Sequence, residues 1–149
     1  MIGPSFGEEI ATAGLAGLPF SWGTDGVYGR ENLTPEQNAA LDAVIAAHDP
    51  NRIVPPPAIS DRQFFHALAK RGLITGEEAK AAVKTGEIPA ALQVVINNLP
   101  PEYNRFDVEM LISGATVFER HHPTTQVIAS TFGWSREQTD EFWRFAATL

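Results

Sequence analysis

The sequence predicts a mainly α protein, in which a small N-terminal helix–hairpin–helix unit is followed by a compact bundle of about six short helices. Three observations lead to this prediction. Apolar residues recur at helical spacing through most of the chain. Ser or Thr followed three positions later by Gln or Glu, a pattern typical of helix starts, recurs along it. Only residues 18–30 change to the alternation that is typical of strands.

Composition limits the functions to consider. The 149 residues can bury about 70% of the surface of the unfolded chain, so folding needs no disulfide or metal. The absence of cysteine excludes thiol catalysis and cysteine-bound metal. No apolar run approaches the ~18 residues of a membrane span, and the first residues lack the features of a secretion signal, so no membrane role is expected. The net charge of −7 repels phosphates, so nucleic acid is not an expected partner.

Two helices are predicted within residues 1–50. Ser5 and Glu8 have the spacing of a capping box, which predicts a short first helix. The segment Thr34-Pro35-Glu36-Gln37 combines an N-cap, a proline at the first helical position and a second capping box. It predicts a helix from residue 35 to about 48. The apolar face of that helix is predicted to consist of Leu41, Val44, Ile45 and His48.

A hairpin is predicted between these helices. Leu18, Phe20 and Trp22 alternate with other residues and therefore share one face, and Asp25-Gly26 is typical of a tight turn with positive φ. Two strands are too small to bury such a face alone. We expect the helix over residues 35–48 to cover Leu18 and Phe20, and Trp22 to stay partly exposed as a contact for another chain.

A boundary is predicted where the first unit ends. Asp49-Pro50 terminates the helix, because a residue before proline is disfavoured in the helical conformation. Residues 51–58 contain three consecutive prolines and are predicted to be a stiff linker. The sequence thus predicts a first unit over residues 1–50 and a helical bundle over residues 59–149.

The bundle is predicted from capping residues, prolines and terminating glycines. The fourth of its helices is predicted to run from about Glu102 to about Arg120, with Gly114 as its weak point, since a central glycine costs about 1 kcal/mol. The predicted helices begin near Ser60, Thr75, Pro89, Glu102, Pro123 and Ser135.

No catalytic residue, metal site or cofactor is predicted. Glu119 and His122 have the spacing of half a di-iron site, but the second half is missing from the sequence. The segment FERHHP is instead interpreted as a helix C-terminus, where Arg120, His121 and His122 oppose the helix dipole. The paired carboxylates of the chain lie in first helical turns, where the dipole explains them. A small cell-wall hydrolase therefore stays only an alternative.

A second alternative is a nucleic-acid-binding regulator. Residues 125–145 have the pattern of a helix-turn-helix, with Ala129 and Gly133 spaced for close packing across a turn. The charged residues of the second helix, including Asp140, sum to −1, whereas a helix that reads a DNA groove should be neutral or basic. The sequence therefore favours a simple connection between two packed helices.

Five aromatic residues are the candidate binding residues. Tryptophan and tyrosine are enriched at the energetic centres of protein interfaces, and this helical chain has more of them than its core requires. The alternative is that they hold the hairpin and the last helices to the core. The candidates are Phe20, Trp22, Tyr28, Trp134 and Trp143.

Several segments carry a resemblance to a known group of proteins. GLPFSWGTDG followed by LTPEQNAALDAVIAAHDP resembles the start of small proteins from tail gene clusters of tailed bacteriophages and prophages. ISDRQFFHALAKRGLITGEEAKAAVKTGEIPAAL and LISGATVFERHHP resemble the helical module of the same proteins, so the likeness spans about residues 5–149. The resemblance implies a phage origin and a role near tail or tail-fibre assembly, without a catalytic motif.

These observations favour a non-enzymatic, tail-associated structural or assembly protein. Its expected partner is another phage tail or fibre protein, and a homo-oligomer stays open. The expected location is the virion tail, or the host cytoplasm during assembly.

Overall fold

The computed structural model describes all 149 residues, and they form two compact units, Met1–Val54 and Pro55–Leu149. The prediction of a mainly α protein is confirmed, because 54% of the residues are helical and the strands are short. The division between the units falls within residues 51–58, the predicted linker. No helix has both the length and the apolar character that a membrane span requires.

The first unit consists of two helices and a hairpin around a small apolar core. Leu18, Phe20, Val27 and Val44 pack against this core, whereas Ile45, predicted to help cover the hairpin, is exposed. The core residues are Phe6, Ile10, Leu15, Leu33 and Leu41. The elements are α1 (Phe6–Thr12), β1 (Ser21–Gly23), β2 (Gly26–Tyr28), a 3₁₀ turn (Arg30–Asn32) and α2 (Pro35–Ala47).

The two predicted helix starts of this unit differ in outcome. At α2 the capping box is confirmed, because the Gln37 N–H donates to Thr34 Oγ1 at 3.2 Å and the Thr34 N–H donates to Gln37 Oε1 at 2.9 Å. At α1 the predicted capping box is wrong. Ser5 is itself in the helical conformation (φ −78°, ψ −13°), and its side chain makes no cap hydrogen bond. An N-cap side chain reaches the first turn from an extended backbone, which Ser5 does not have.

The hairpin forms with a different turn from the one predicted. Gly23 pairs with Gly26, so Thr24 and Asp25 are the two loop residues and neither has positive φ. The Thr24 carbonyl accepts a hydrogen bond of 3.0 Å from the Ile2 N–H, which ties the turn to the start of the chain. Positive φ occurs instead at Gly29 (φ +80°), where the chain leaves β2.

His48, at the end of α2, links three parts of the first unit. Its Nε2 lies 2.8 Å from the Gly3 N–H donor and its Nδ1 lies 2.7 Å from Glu9 Oε2. Both contacts are hydrogen bonds when the proton is on Nδ1, which assigns this tautomer. The ring also packs edge-to-face on Phe6, at 5.1 Å between centroids. His48 therefore closes the N-terminal segment over the core.

The second unit contains six helices and one short sheet. Its core combines apolar side chains from all six helices with an aromatic cluster around Phe64 and Trp143. The elements are β3 (Ala58–Ser60), α3 (Asp61–Lys70), α4 (Gly76–Thr85), α5 (Ala90–Asn97), α6 (Arg105–Gly114), β4 (Val117–Glu119), α7 (Pro123–Thr131) and α8 (Arg136–Ala146).

The sheet of the second unit corrects the prediction of a helix from Glu102 to Arg120. Helix α6 ends at Gly114, and residues 117–119 form β4, which pairs antiparallel with β3. Ile59 lies opposite Phe118, and both are buried. The Phe118 ring stacks on Phe64 at 4.2 Å between centroids. Pairing with a distant strand and burial of Phe118 thus stabilise the strand conformation of residues 117–119 more than continuation of the helix would.

The segment FERHHP was also interpreted incorrectly. Arg120 and His121 follow β4, and His122 is the N-cap of α7, where its Nδ1 accepts from the Thr124 N–H at 3.2 Å. The two histidines therefore lie at the start of a helix and not at the end of one. Pro123 at the first helical position is confirmed.

Two independent constraints favour glycine at position 86: the backbone conformation and the close approach of α6. A substitution at Gly86 therefore tests the packing between α4 and α6. Gly86 ends α4 with φ +73°, and a Cβ at this position would lie 2.5 Å from the Ser113 carbonyl oxygen. Gly72 has φ +71° but nothing within 4 Å of such a Cβ.

We expect Gly72→Ala to cost about 1 kcal/mol, since it forces a left-handed backbone on an L-residue. Gly86→Ala should cost at least about 1–2 kcal/mol more, because the Ser113 backbone must also move. Urea unfolding of both variants measures the difference. Equal losses would show that α4 and α6 do not approach as closely as described.

Candidate functional site

The predicted binding residue Trp22 lies on the inner face of the hairpin. Trp22 pairs with Val27, so both side chains lie on the same face as the core-facing Phe20. The indole packs edge-to-face on Phe6 at 5.7 Å between centroids and tilted on Phe20 at 5.8 Å. It also lies over Gly7 of α1, where a Cβ would be 3.4 Å from the ring. Trp22 still leaves 42% of its surface exposed. It is therefore held by the core and accessible at the same time.

Tyr28 lies on the opposite face of the hairpin. It pairs with Ser21, one position out of step with Trp22, and it is 50% exposed. Its hydroxyl donates a hydrogen bond to the Asp25 carboxylate. This bond lowers the pKa of Asp25 and raises the pKa of Tyr28. Trp22 and Tyr28 therefore do not form one continuous surface, although both were predicted as binding residues.

The two tryptophans of the second unit have different environments. Trp134 is half-buried, and its ring stacks on Phe132 at 5.2 Å and lies tilted on Phe142 at 4.9 Å. Trp143 is only 1% exposed and lies in the core beside Phe64. The prediction of Trp143 as a binding residue is therefore wrong. It occupies the buried side of the amphipathic helix α8, where apolar burial stabilises the fold.

Trp134 lines a polar cleft of about 440 Å³ around a buried ion pair. The Arg120 guanidinium bonds to the Asp140 carboxylate through Nη1 and lies 2.8 Å from His121 Nε2 through Nη2. Both members of the pair are buried. The pair joins the end of β4 to α8, so its first role is structural. The other lining residues are Gln126, Ala129, Ser130, Arg136 and Thr139.

The structure changes the charge argument against DNA binding. Asp140 belongs to the buried pair, so it is not part of the surface that α8 presents. The remaining charged residues of that helix are two arginines and two glutamates, which sum to zero. Helices α7 and α8 are joined by four residues, with Gly133 at φ +72°. The helix-turn-helix hypothesis stays an alternative.

The segment FERHHP contains three side chains of metal-ligating types, Glu119, His121 and His122. No group of three or more His, Cys, Asp or Glu side chains in the structure lies close enough together to hold a metal ion.

A groove between α3 and α4 was missed by the sequence analysis. It has a volume of about 740 Å³ and an apolar floor that includes Ala69, Ala79 and Val83. Its charged lining residues are all basic: Arg62, Lys70, Lys80 and Lys84, with His66 beside them. The lysine positions are visible in the sequence, but the packing of α3 on α4, which gathers them at one groove, is a tertiary feature. We name this feature the basic groove.

No family model matches the chain, and no match was found among curated proteins or solved structures.

The buried Arg120–Asp140 pair yields a stability prediction. Asp140→Ala should cost about 3–5 kcal/mol, because it leaves an uncompensated guanidinium in the interior. Glu141→Ala should cost less than about 1 kcal/mol, since Glu141 pairs with Arg71 at 3.1 Å on the surface. The double variant Arg120→Met/Asp140→Leu should recover most of the loss, because no charge is then buried alone. Guanidinium unfolding tests all three, and a loss for Asp140→Ala as small as that for Glu141→Ala would contradict the assignment.

Proposed function

We propose that this protein is a non-enzymatic structural or assembly protein that binds another protein. On the resemblance of its segments to proteins from phage tail gene clusters, we propose that the partner is a phage tail or tail-fibre protein. The protein would then act in the virion tail, or in the host cytoplasm during assembly.

The proposal assigns separate tasks to the two parts of the chain. Residues 1–50 are treated as a helix–hairpin–helix module that carries the partner-binding surface, residues 51–58 as its linker, and residues 59–149 as a compact bundle of six helices. The exposed indole of Trp22 on the hairpin supports the first assignment.

The exposed indole of Trp22 is the observation that carries the proposal. A binding residue is effective when it offers a large apolar surface and loses little conformational freedom on binding. Trp22 meets both conditions, since Phe6 and Phe20 already hold its ring while 42% of its surface is exposed. Exposed aromatic surface of this kind is typical of interface centres.

The test uses candidate phage tail and tail-fibre proteins, each co-purified with this chain. Trp22→Ala should weaken the binding of the true partner tenfold or more, which corresponds to about 1.4 kcal/mol or more. Tyr28→Ala is the matched control, because Tyr28 is similarly exposed but lies on the other face of the hairpin. It should change the Kd less than threefold.

Stability must be measured beside binding. Trp22→Ala removes the contacts with Phe6 and Phe20, so it should cost about 1–3 kcal/mol but leave the protein folded. A large loss of stability with unchanged binding would show that Trp22 is only a core residue. Clearing of a peptidoglycan gel, or a mobility shift of duplex DNA, by the purified protein would favour the hydrolase or the regulator instead.

A further inference from the structure

We propose that the second unit binds a second copy of itself head to tail, with helix α6 of one copy seated in the basic groove of the next. The proposal concerns surfaces other than Trp22, and it stands independently of the partner proposed above.

The basic groove concentrates positive charge on an acidic protein. All three lysines of the chain line it, together with Arg62. The chain has 11 basic and 18 acidic residues. Four of the basic residues line the groove, so the rest of the chain has 7 basic and 18 acidic residues and a formal net charge of −11. The lining itself contains no carboxylate. An occupant of this groove should therefore combine apolar side chains with carboxylates.

The positive charge of the basic groove is largely uncompensated within the chain. Lys70 and Lys84 form no ion pair. Lys80 lies 2.9 Å from Glu77, but both side chains are highly exposed, so water and salt weaken this pair. Arg62 donates to the main-chain oxygen of Leu149 at 2.8 Å, so the two lysines without an ion pair carry the argument. The rim can therefore attract carboxylates from another molecule.

Helix α6 presents the matching chemistry on its exposed side. Phe106 is 64% exposed, the most exposed large apolar side chain of the second unit, and Met110, one turn later, is 57% exposed. On a helix, positions 106 and 110 share a face, and positions 107 and 109 flank it on opposite sides. These flanking residues are Asp107, which is exposed, and Glu109, which is half-buried and accepts a hydrogen bond from Gln93 Nε2 at 2.8 Å. We name this surface the acidic face of α6.

The two surfaces are similar in length as well as opposite in charge. Helices α3, α4 and α6 each have ten residues, about 15 Å of helix. A helix that docks in a groove between two others typically inserts apolar side chains spaced by four residues, as Phe106 and Met110 are. In the docked arrangement these two side chains contact the floor at Ala79 and Val83, while the flanking carboxylates approach the lysines.

The proposed interface is heterologous: the basic groove of one copy contacts the acidic face of α6 of the next, and these two surfaces share no residue. Each bound copy therefore keeps one free groove and one free face. Repetition of such a contact produces a closed ring when the rotation closes and a filament when it does not. Because the contact combines charge and apolar burial, salt should weaken it without abolishing it.

The first experiment measures the mass of the full chain by sedimentation velocity up to about 1 mM, the weakest affinity that such a contact should have. The face variant is Phe106→Ser/Met110→Ser, and the groove variant is Lys70→Glu/Lys84→Glu. We expect the wild type to associate, and we expect each variant alone to have a dissociation constant at least tenfold higher. Val94→Ser is the matched control, because Val94 is 59% exposed on α5, and it should associate like wild type. Circular dichroism should show each variant folded.

Mixing the two variants tests the head-to-tail geometry. The face variant keeps a working groove and the groove variant keeps a working face, so their mixture should form dimers and nothing larger. A wild type that stays monomeric would overturn the proposal. So would association that neither variant weakens, or variants that fail to pair when mixed.

Zero-length cross-linking with a carbodiimide tests the contact itself. This reagent joins an amine to a carboxylate as an amide, and the side-chain amines of the chain all belong to the basic groove. In a mixture of ¹⁴N and ¹⁵N protein, we expect mixed-isotope peptides that join Lys70 or Lys84 to Asp107 or Glu109. Mixed-isotope products confined to other carboxylates would contradict the proposed occupant. Loss of duplex DNA binding by the groove variant, with a monomeric wild type, would assign the groove to nucleic acid instead.

Discussion

The antiparallel pairing of β3 with β4 is the contact on which the second unit depends. It joins residues 58–60 to residues 117–119 and places Phe118 on Phe64. Helix α3 starts directly after β3, and α6 ends shortly before β4. The chain then continues into Arg120, whose ion pair with Asp140 fixes α8. Three residue pairs thus set the positions of three helices.

The features that could be predicted from the sequence are those that depend only on residues close together in the chain. Capping boxes at Thr34, Ser60, Thr75 and Ser135 all form, because each needs only an extended N-cap and a side chain three residues later. The same pattern at Ser5 fails because the surrounding chain holds that residue in a helical conformation. The strand pairing could not be predicted, since neither three-residue strand has a detectable period and each depends on a partner far along the chain. The interpretation of FERHHP failed for the same reason.

The candidate sites show the same distinction between features predictable from the local sequence and features that require the tertiary structure. Exposed aromatic residues at the hairpin could be proposed from the alternation of Phe20 and Trp22, but the strand register was needed to separate Trp22 from Tyr28. Trp143 could not be assigned to the core before the buried side of α8 was known. The basic groove requires two helices to pack side by side. If the proposed partner contact of the hairpin and the proposed self-association of the bundle both occur, the assembly presents several hairpins at once, which raises avidity without new contacts.

Native-state hydrogen exchange tests the dependence on the strand pairing most directly. The Arg120 N–H donates to the Pro57 carbonyl at 2.8 Å and the Asp61 N–H donates to the Thr116 carbonyl at 3.0 Å, so these amides report on the two ends of the pairing. If the pairing holds the second unit together, both amides should exchange only by global unfolding, with the same opening free energy as the core amides of α3 and α6. Exchange that is orders of magnitude faster, with the helices still protected, would show that the strands open separately and that the bundle does not depend on them.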